Sequence, residues 1–237
     1  MMPKVLVGAP VSEMHAYCTK EFLKAIKSFE YPNYDILLVD NSRTDKFYKA
    51  IKDIVSTVRI DYEARARERV TKAHNILRDQ ALKGKYDYLF LLDQDVIPPP
   101  RAIEILVNRG KKAISGLYFG HHVIQGGTNE IMPFAWKFTQ KEKDWNKTRY
   151  LTDTEVFRPG LIKIAFSGGG CLLLHKDVLK KIKFRYDPSI DAWDDRWLGY
   201  DIYENGDELY LDNTIKCQHL YLKRPFSWEE IKKLGLN

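Results

Sequence analysis

Two aspartates separated by one residue, Asp93 and Asp95, follow the apolar run Tyr88-Leu89-Phe90-Leu91-Leu92 and precede Pro98-Pro99-Pro100. The run lies between Lys83-Gly84-Lys85 and the prolines, and it reads as a buried strand that ends at the acids. In an open α/β sheet, ligands bind beyond the carboxyl ends of the strands. Two carboxylates at such an end can hold a hard divalent cation, and Mg²⁺ is commonly shared between one or two carboxylates and substrate phosphates. The plainer alternative is a solvated acidic turn.

The elements that must position these acids follow from periodicity. Lys4-Val5-Leu6-Val7-Gly8 reads as a first strand. In 19–29, Phe22, Leu23, Ile26 and Phe29 share one helical face. Ile36-Leu37-Leu38-Val39 is a second buried strand and ends in Asp40-Asn41-Ser42. A helix from Thr44-Asp45 carries Phe47, Ile51, Ile54 and Val55 inward. Residues 58–62 read as a third strand, 67–81 as a charged helix, and the strand at Tyr88 closes the series. Short apolar strands alternating with helices predict a parallel sheet covered on both faces, with right-handed crossovers.

Beyond Pro100 the rhythm changes. Residues 101–107 read as a helix and 113–118 as a strand, whereas 120–128, rich in Gly and His, read as a loop. Residues 134–138 have strand character, and polar 141–149 lack periodicity and are expected to form a mobile lid. Gly168-Gly169-Gly170 precedes the apolar strand Cys171-Leu172-Leu173-Leu174, and 187–205 are dense in acids and tryptophan. A capping box at Ser227-Trp228-Glu229-Glu230 predicts a terminal helix.

Composition narrows the class. The chain has 237 residues, 44% hydrophobic and 30% charged, as an ordinary globular domain has. The net charge of +6 is spread along helical patterns; it favours anionic substrates and does not point to nucleic acid. Three cysteines, Cys18, Cys171 and Cys217, are too few and too scattered for a disulfide framework or a zinc quartet. With no apolar run of membrane-spanning length and no leader-like start, the expected location is cytoplasmic. A soluble protein can still associate peripherally with a membrane.

Taken in order, several pieces resemble a GT-A-fold glycosyltransferase of the family 2 type. They are Val5-Leu6-Val7 with Pro10, Leu38-Val39-Asp40-Asn41-Ser42, Ala73-His74-Asn75, Leu92-Asp93-Gln94-Asp95, Gly168-Gly169-Gly170, Asp194-Asp195, and Tyr210-Leu211-Asp212 through His219. The resemblance implies one domain over 1–237: a Rossmann-like, mostly parallel central sheet with helices on both faces, and a smaller mixed sheet on the acceptor side. Residues 1–100 would bind the nucleotide-sugar, and 101–237 would bind the acceptor and carry the catalytic acid.

The implied site follows residue by residue. Pro10, Asp40 and Asn41 would meet the donor nucleoside; the alternative for Asp40 is a helix cap. Asp93 and Asp95 match the family's Asp-x-Asp motif, which links the donor pyrophosphate to Mn²⁺ or Mg²⁺. A metal suits the leaving diphosphate because it stabilises negative charge without proton transfer. His219 matches a histidine that completes the metal shell, and imidazole beside carboxylates suits Mn²⁺. Lys72 and Asn75 would approach the donor phosphates, and Gly169 and Gly170 the donor sugar. His74 has the helical spacing of a packed core histidine.

Asp195 matches the family's catalytic base, which takes a proton from the attacking hydroxyl. Asp194 beside it would raise its pKa. Asp194 stands where the family has Glu, so the base could instead be Asp191 or Asp201. The alternative is an acidic helix start. Trp193 and Trp197 could stack on sugars or fill a core.

The resemblance implies an inverting, hexosyltransferase-type enzyme. It would move sugar from a nucleoside-diphosphate donor to a hydroxyl of a glycan, a lipid-linked glycan or a protein. Acceptor choice would lie in the loops of 120–149. A sugar-nucleotide nucleotidyltransferase would carry a glycine-rich basic turn after the first strand, which Gly8-Ala9-Pro10-Val11-Ser12-Glu13-Met14 lacks. A non-catalytic carbohydrate-binding protein on the same fold would not need the Asp93–Asp95 pair. The triple glycine lacks the spacing of a P-loop.

Overall fold

The computed structural model describes residues 2–123, 129–139, 145, 147–190 and 192–223. Its first half alternates strand and helix: β1 (Val5–Val11), α1 (Thr19–Ile26), β2 (Tyr34–Asp40), α2 (Lys46–Ile51), β3 (Thr57–Arg59), α3 (Ala66–Lys83) and β4 (Tyr88–Leu92). Next come the two-residue β5 (Val96–Ile97), α4 (Ala102–Asn108) and β6 (Ala113–Leu117). The hairpin strands β7 (Phe119–Val123) and β8 (Asn129–Pro133) precede β9 (Ala135–Phe138), β10 (Thr148–Tyr150), α5 (Asp153–Phe157), β11 (Leu161–Ile164) and β12 (Phe166–Ser167). The described chain closes with β13 (Cys171–His175), α6 (Lys176–Lys181), α7 (Asp194–Glu204), β14 (Leu209–Lys216), β15 (Gln218–His219) and a 3-10 turn at Leu220–Lys223.

Eight strands form the central sheet in the order β11-β14-β6-β13-β4-β1-β2-β3. The β4-β1-β2-β3 run is parallel, as is β6 with β14. β13 lies antiparallel between β4 and β6, and β11 is an antiparallel edge. Alternate residues feed two cores, as the period of a strand requires. Val5, Val7, Phe90 and Leu92 face α1 and α4, where Phe22, Ile26, Ile103 and Leu106 are buried. Leu6, Leu89 and Leu91 face α3, α6 and α7, where Leu77, Leu179 and Leu198 are buried. Double coverage explains why β1 and β4 are apolar without alternation.

The small elements place the chemistry. β15 pairs with β5 so that His219 lies opposite Val96, directly after Asp95. The Leu220 amide donates to the Asp95 carbonyl at 2.7 Å and locks this register. The sheet β10-β9-β12, expected to be mixed, has only antiparallel pairings. α7 rests on β12 at Gly199, where an added Cβ would lie 2.6 Å from the Ala165 carbonyl oxygen and 2.5 Å from Phe166 Cβ. Only glycine permits this approach, which fixes the height of the helix and of the acids in its first turn.

Several expectations change. The third strand is Thr57–Arg59, an edge of three residues. Residues 119–123 and 129–133 pair as a hairpin instead of looping free. Of the expected lid, Trp145 packs between Phe138 and Tyr200, at 5.0 and 5.2 Å between ring centroids. Its carbonyl accepts from Arg196 at 2.9 Å, and Thr148–Tyr150 is strand. Residues 141–144 and 146, and the helix expected from Ser227, lie outside the described residues. Cys18, Cys171 and Cys217 are all free thiols. Among the described residues no helix is long and apolar enough to cross a membrane.

Candidate active site

A cleft of about 450 Å³ opens at the carboxyl ends of β1 and β4, and its walls include Pro10, Asn41, Asp93, Asp95, Asp195 and His219. A larger hollow of about 670 Å³ beside β11 shares none of its lining residues, and its acids Glu155, Asp207 and Glu208 are each paired with Lys or Arg.

At one end the turn after β4 is anchored from several sides. Gln94, between the two acids, points away from them. Its Oε1 accepts from the Ser12 amide at 2.8 Å, and its Nε2 donates to the His15 carbonyl at 3.1 Å and to Thr19 Oγ1 at 2.9 Å. The strand-end turn is thereby tied to the loop after β1. Asp95 is 2% exposed, and its Oδ2 accepts from the Tyr17 hydroxyl at 3.0 Å. His219 Nε2 stands 3.4 Å and His15 Nε2 3.9 Å from that oxygen. His219 Nδ1 lies 2.7 Å from the Phe119 carbonyl and so is the donor there, which turns Nε2 toward Asp95. A carbonyl-held imidazole beside a carboxylate is the usual arrangement of a metal-ligating histidine. The donor set therefore fits a Mn²⁺-type ion. Among the described residues no preformed cluster of three or more metal-binding side chains exists.

At the other end, Asp194 and Asp195 begin α7. Asp194 is 3% exposed and meets His74 Nδ1 at 2.7 Å. Asp195 opens partly to the cleft, and its Oδ1 accepts from the Arg196 amide at 2.6 Å. Burial, and then the Asp194 charge, push Asp195 up to about 7; the Arg196 amide partly opposes them. For His74, burial works against the proton, but the charges of Asp194, Asp93 and Asp195 outweigh it and hold its pKa above the ordinary value. Between the two ends stands Tyr118, stacked on Phe134 at 4.8 Å, with its hydroxyl accepting from the Gly170 amide at 3.0 Å. Burial, reinforced by Asp93, keeps that phenol protonated well beyond its usual range.

The structure brings together Pro10, Asn41, Asp93, Asp95, Gly169, Asp194, Asp195 and His219 on this cleft. Four other expected residues face elsewhere. Asp40 is fully buried behind Asn41. Its Oδ1 accepts from the Ser42 amide at 3.2 Å and the Ser42 hydroxyl at 2.5 Å, and Arg59 approaches Oδ2 at 3.7 Å. It shapes the turn after β2 and neither reaches the cleft nor caps α2. Lys72 pairs with Glu63 on the outer side of α3. Asn75 clamps the backbone of Phe184, donating to its carbonyl at 2.8 Å and accepting from its amide at 3.0 Å. Gly170 is buried beneath Asp93; a Cβ there would stand 2.9 Å from Asp93 Oδ2. Asp201 pairs with Arg185 at 2.7 Å and is not on the cleft wall, and Asp191 lies outside the described residues.

The cleft wall also includes His15, Arg69, Gln94 and Tyr118, which the sequence reading did not single out; His74 is buried as expected and is bonded to Asp194. Part of this was readable. Ala66, Arg69, Val70 and His74 have the spacing of a single helical stripe, and all four line the cleft. Arg69 faces inward and donates to the carbonyls of Glu63 at 2.5 Å and Ala64 at 3.1 Å.

A parallel sheet with acids at its strand ends and a second acid pair from the helix opposite is the architecture of a GT-A-fold glycosyltransferase. Residues 17–183 match the profile described as "Glycosyl transferase family 2", and the chain belongs to that family. A search of curated proteins finds no match. Among solved structures, GalNAc-T7 with UDP, GalNAc and Mn²⁺ aligns over 93% of this chain and 44% of its own, at 18% identity and a TM-score of 0.64. The mannosyltransferase PcManGT from Pyrobaculum calidifontis, in complex with GDP-Man and Mn²⁺, aligns over 98% of this chain and 61% of its own, at 15% identity and a TM-score of 0.59. Residues 1–349 of S. aureus TarS align over 90% of this chain and 59% of that one, at 12% identity and a TM-score of 0.57. The chain thus spans about half the length of these proteins, and the likeness is one of fold.

Proposed function

We propose that this chain transfers a sugar from a nucleoside-diphosphate donor to a hydroxyl acceptor, with a divalent cation and with inversion at the anomeric carbon. The observation that carries the reading is the convergence on one cleft of two aspartate pairs with different surroundings. Asp95, with Asp93 and His219, would hold Mn²⁺ or Mg²⁺, and His15 stands near enough to join them. The cation would supply charge stabilisation for the departing diphosphate. Asp195 takes the proton of the acceptor hydroxyl as its oxygen bonds to the anomeric carbon; the bond to the phosphate oxygen breaks, and its electron pair leaves with the diphosphate. A pKa of about 7 suits a general base that works near neutral pH. Asp194, beside the base, is engaged by His74, and with no other carboxylate placed beside the base among the described residues, one displacement would invert the centre.

The complexes of GalNAc-T7 with UDP and Mn²⁺ and of PcManGT with GDP-Man and Mn²⁺ support the choice of donor class and metal. In this reading, residues 1–100 form most of the nucleotide side, and 101–237 supply the base, His219 and the acceptor side. The acceptor is a glycan, a lipid-linked glycan or a protein hydroxyl. The test is release of nucleoside diphosphate from UDP- and GDP-sugars, with Mn²⁺ and with chelator. Metal-dependent release is expected. Binding of these donors without any release, with or without added sugar acceptors, would turn the reading to a carbohydrate-binding role.

A further inference from the structure

His74 is 3% exposed, and its two ring nitrogens have different fates. Nδ1 is held by Asp194 at 2.7 Å. Nε2, on the other edge of the ring, is buried and has no hydrogen-bond partner among the described residues. The ring lines the cleft. Phe184 packs against it at 5.0 Å between centroids, and with Asp194 on the other side it holds the ring in place. A polar atom buried without a partner is costly, and such atoms in native proteins call for an explanation. Here a ligand oxygen would satisfy it.

Position narrows which oxygen. His74 feels the charges of Asp93, on the cation side, and of Asp195, the base. In a single displacement the transferred sugar lies between the leaving diphosphate and the base. We infer that His74 Nε2 hydrogen-bonds a hydroxyl group of the sugar being transferred, with Asp194 holding Nδ1 and fixing the ring in that orientation. His74 is then a sugar-binding residue, and Asp194 is its positioning residue as well as the neighbour of the base. Gly169, bare of side chain, leaves room for the sugar beside the ring. The inference rests on the glycosyltransferase reading above and adds the residue that senses the sugar.

The experiment is calorimetric titration in Mn²⁺ of UDP, GDP, UDP-glucose, UDP-N-acetylglucosamine and GDP-mannose against the wild type and His74→Phe. The readout is the ratio of the Kd of the free diphosphate to the Kd of its best sugar conjugate. Loss of this hydrogen bond should lower the ratio about tenfold, with the free diphosphate binding as before. A ratio unchanged in His74→Phe, including equal weakening of both ligands, overturns the inference, since a merely structural role predicts that result. Should His74→Phe fail to fold, deoxygenated sugar donors titrated against the wild type read the same contact. One deoxy position must lower the ratio by a similar factor, and the absence of any such position overturns the inference. If the wild type binds none of the diphosphates in Mn²⁺, the glycosyltransferase reading itself falls. Diphosphate binding with an unaltered sugar ratio removes only the role of His74.

Discussion

The two aspartate pairs of the cleft are alike in sequence and opposite in surroundings. Asp93 and Asp95 end a strand of the parallel sheet. Asp95 faces polar groups: the Tyr17 hydroxyl, which donates to it at 3.0 Å, and the imidazoles of His219 and His15 at 3.4 and 3.9 Å. Asp194 and Asp195 begin a helix. One of them is buried against His74, while the other is crowded by protein and by its neighbour's charge until its pKa reaches about 7. In the proposed reaction the same side chain would hold a cation at one end and take up a proton at the other. Environment divides the roles, as it does wherever two carboxyl groups share an active site.

The sharpest way to break this division is at the base. Asp195→Asn keeps size and most contacts but cannot accept the proton, so the transfer rate should fall by about 10² to 10⁴-fold. Donor affinity should stay near that of the wild type. A nearly unchanged rate in Asp195→Asn would move the base elsewhere in the acidic stretch. At the other end, Asp95→Ala removes the carboxylate on which the two imidazoles converge. Mn²⁺-dependent binding of nucleoside diphosphate should weaken by about 100-fold or more, judged by the losses that follow even from disturbing a metal ligand's support. Circular dichroism should be unaltered, and diphosphate binding that matches the wild type and is equally sensitive to chelator would refute the metal role.

A smaller effect concerns pH. A base works when deprotonated, so the rate should rise with pH and level off above about 7, the value to which burial and Asp194 push Asp195. In Asp194→Asn the like charge is gone, and the limb of the pH–rate profile should move to lower pH. An unmoved limb would show that Asp194 does not tune its neighbour. The smallest effect is expected at Asp201. It is paired with Arg185 at 2.7 Å away from the cleft wall, so Asp201→Asn should leave turnover within about twofold, as surface substitutions usually do. A large loss there would assign Asp201 a part in the reaction.

The first aspartate pair was legible in sequence, and the second only in outline. β1, β2 and β4 announce themselves because a parallel strand buried on both faces is a continuous apolar run. Asp93 and Asp95 then fall at a strand end by counting. The hairpin of residues 119–123 and 129–133 gave no such signal. It is held by cross-strand backbone hydrogen bonds, and its Gly and His content resembles that of a loop. Asp40 has the same strand-end position as Asp93, yet Ser42 turns its carboxylate inward. Lys72 and Asn75 flank His74 on one helix and face other ways, because each residue advances the helix by about 100°. Which residue of a run such as Thr71-Lys72-Ala73-His74-Asn75 meets the cleft is decided by how the whole helix is rotated against the sheet.

The sequence by itself determined the alternation of strands and helices in the first half, the apolar faces that make them a doubly covered sheet, and one acid pair at the carboxyl end of a strand. These are properties of periodicity and local propensity, and they belong to segments a few residues long. The tertiary structure alone decided that His219 lies beside Asp95, through the pairing of β15 with β5. It decided that His74 meets Asp194 across 120 positions of chain, and that of two adjacent aspartates on the cleft one is buried against that histidine while the other is more open. Those outcomes depend on side-chain directions and on burial. Both are set by packing between distant segments, which no local pattern records.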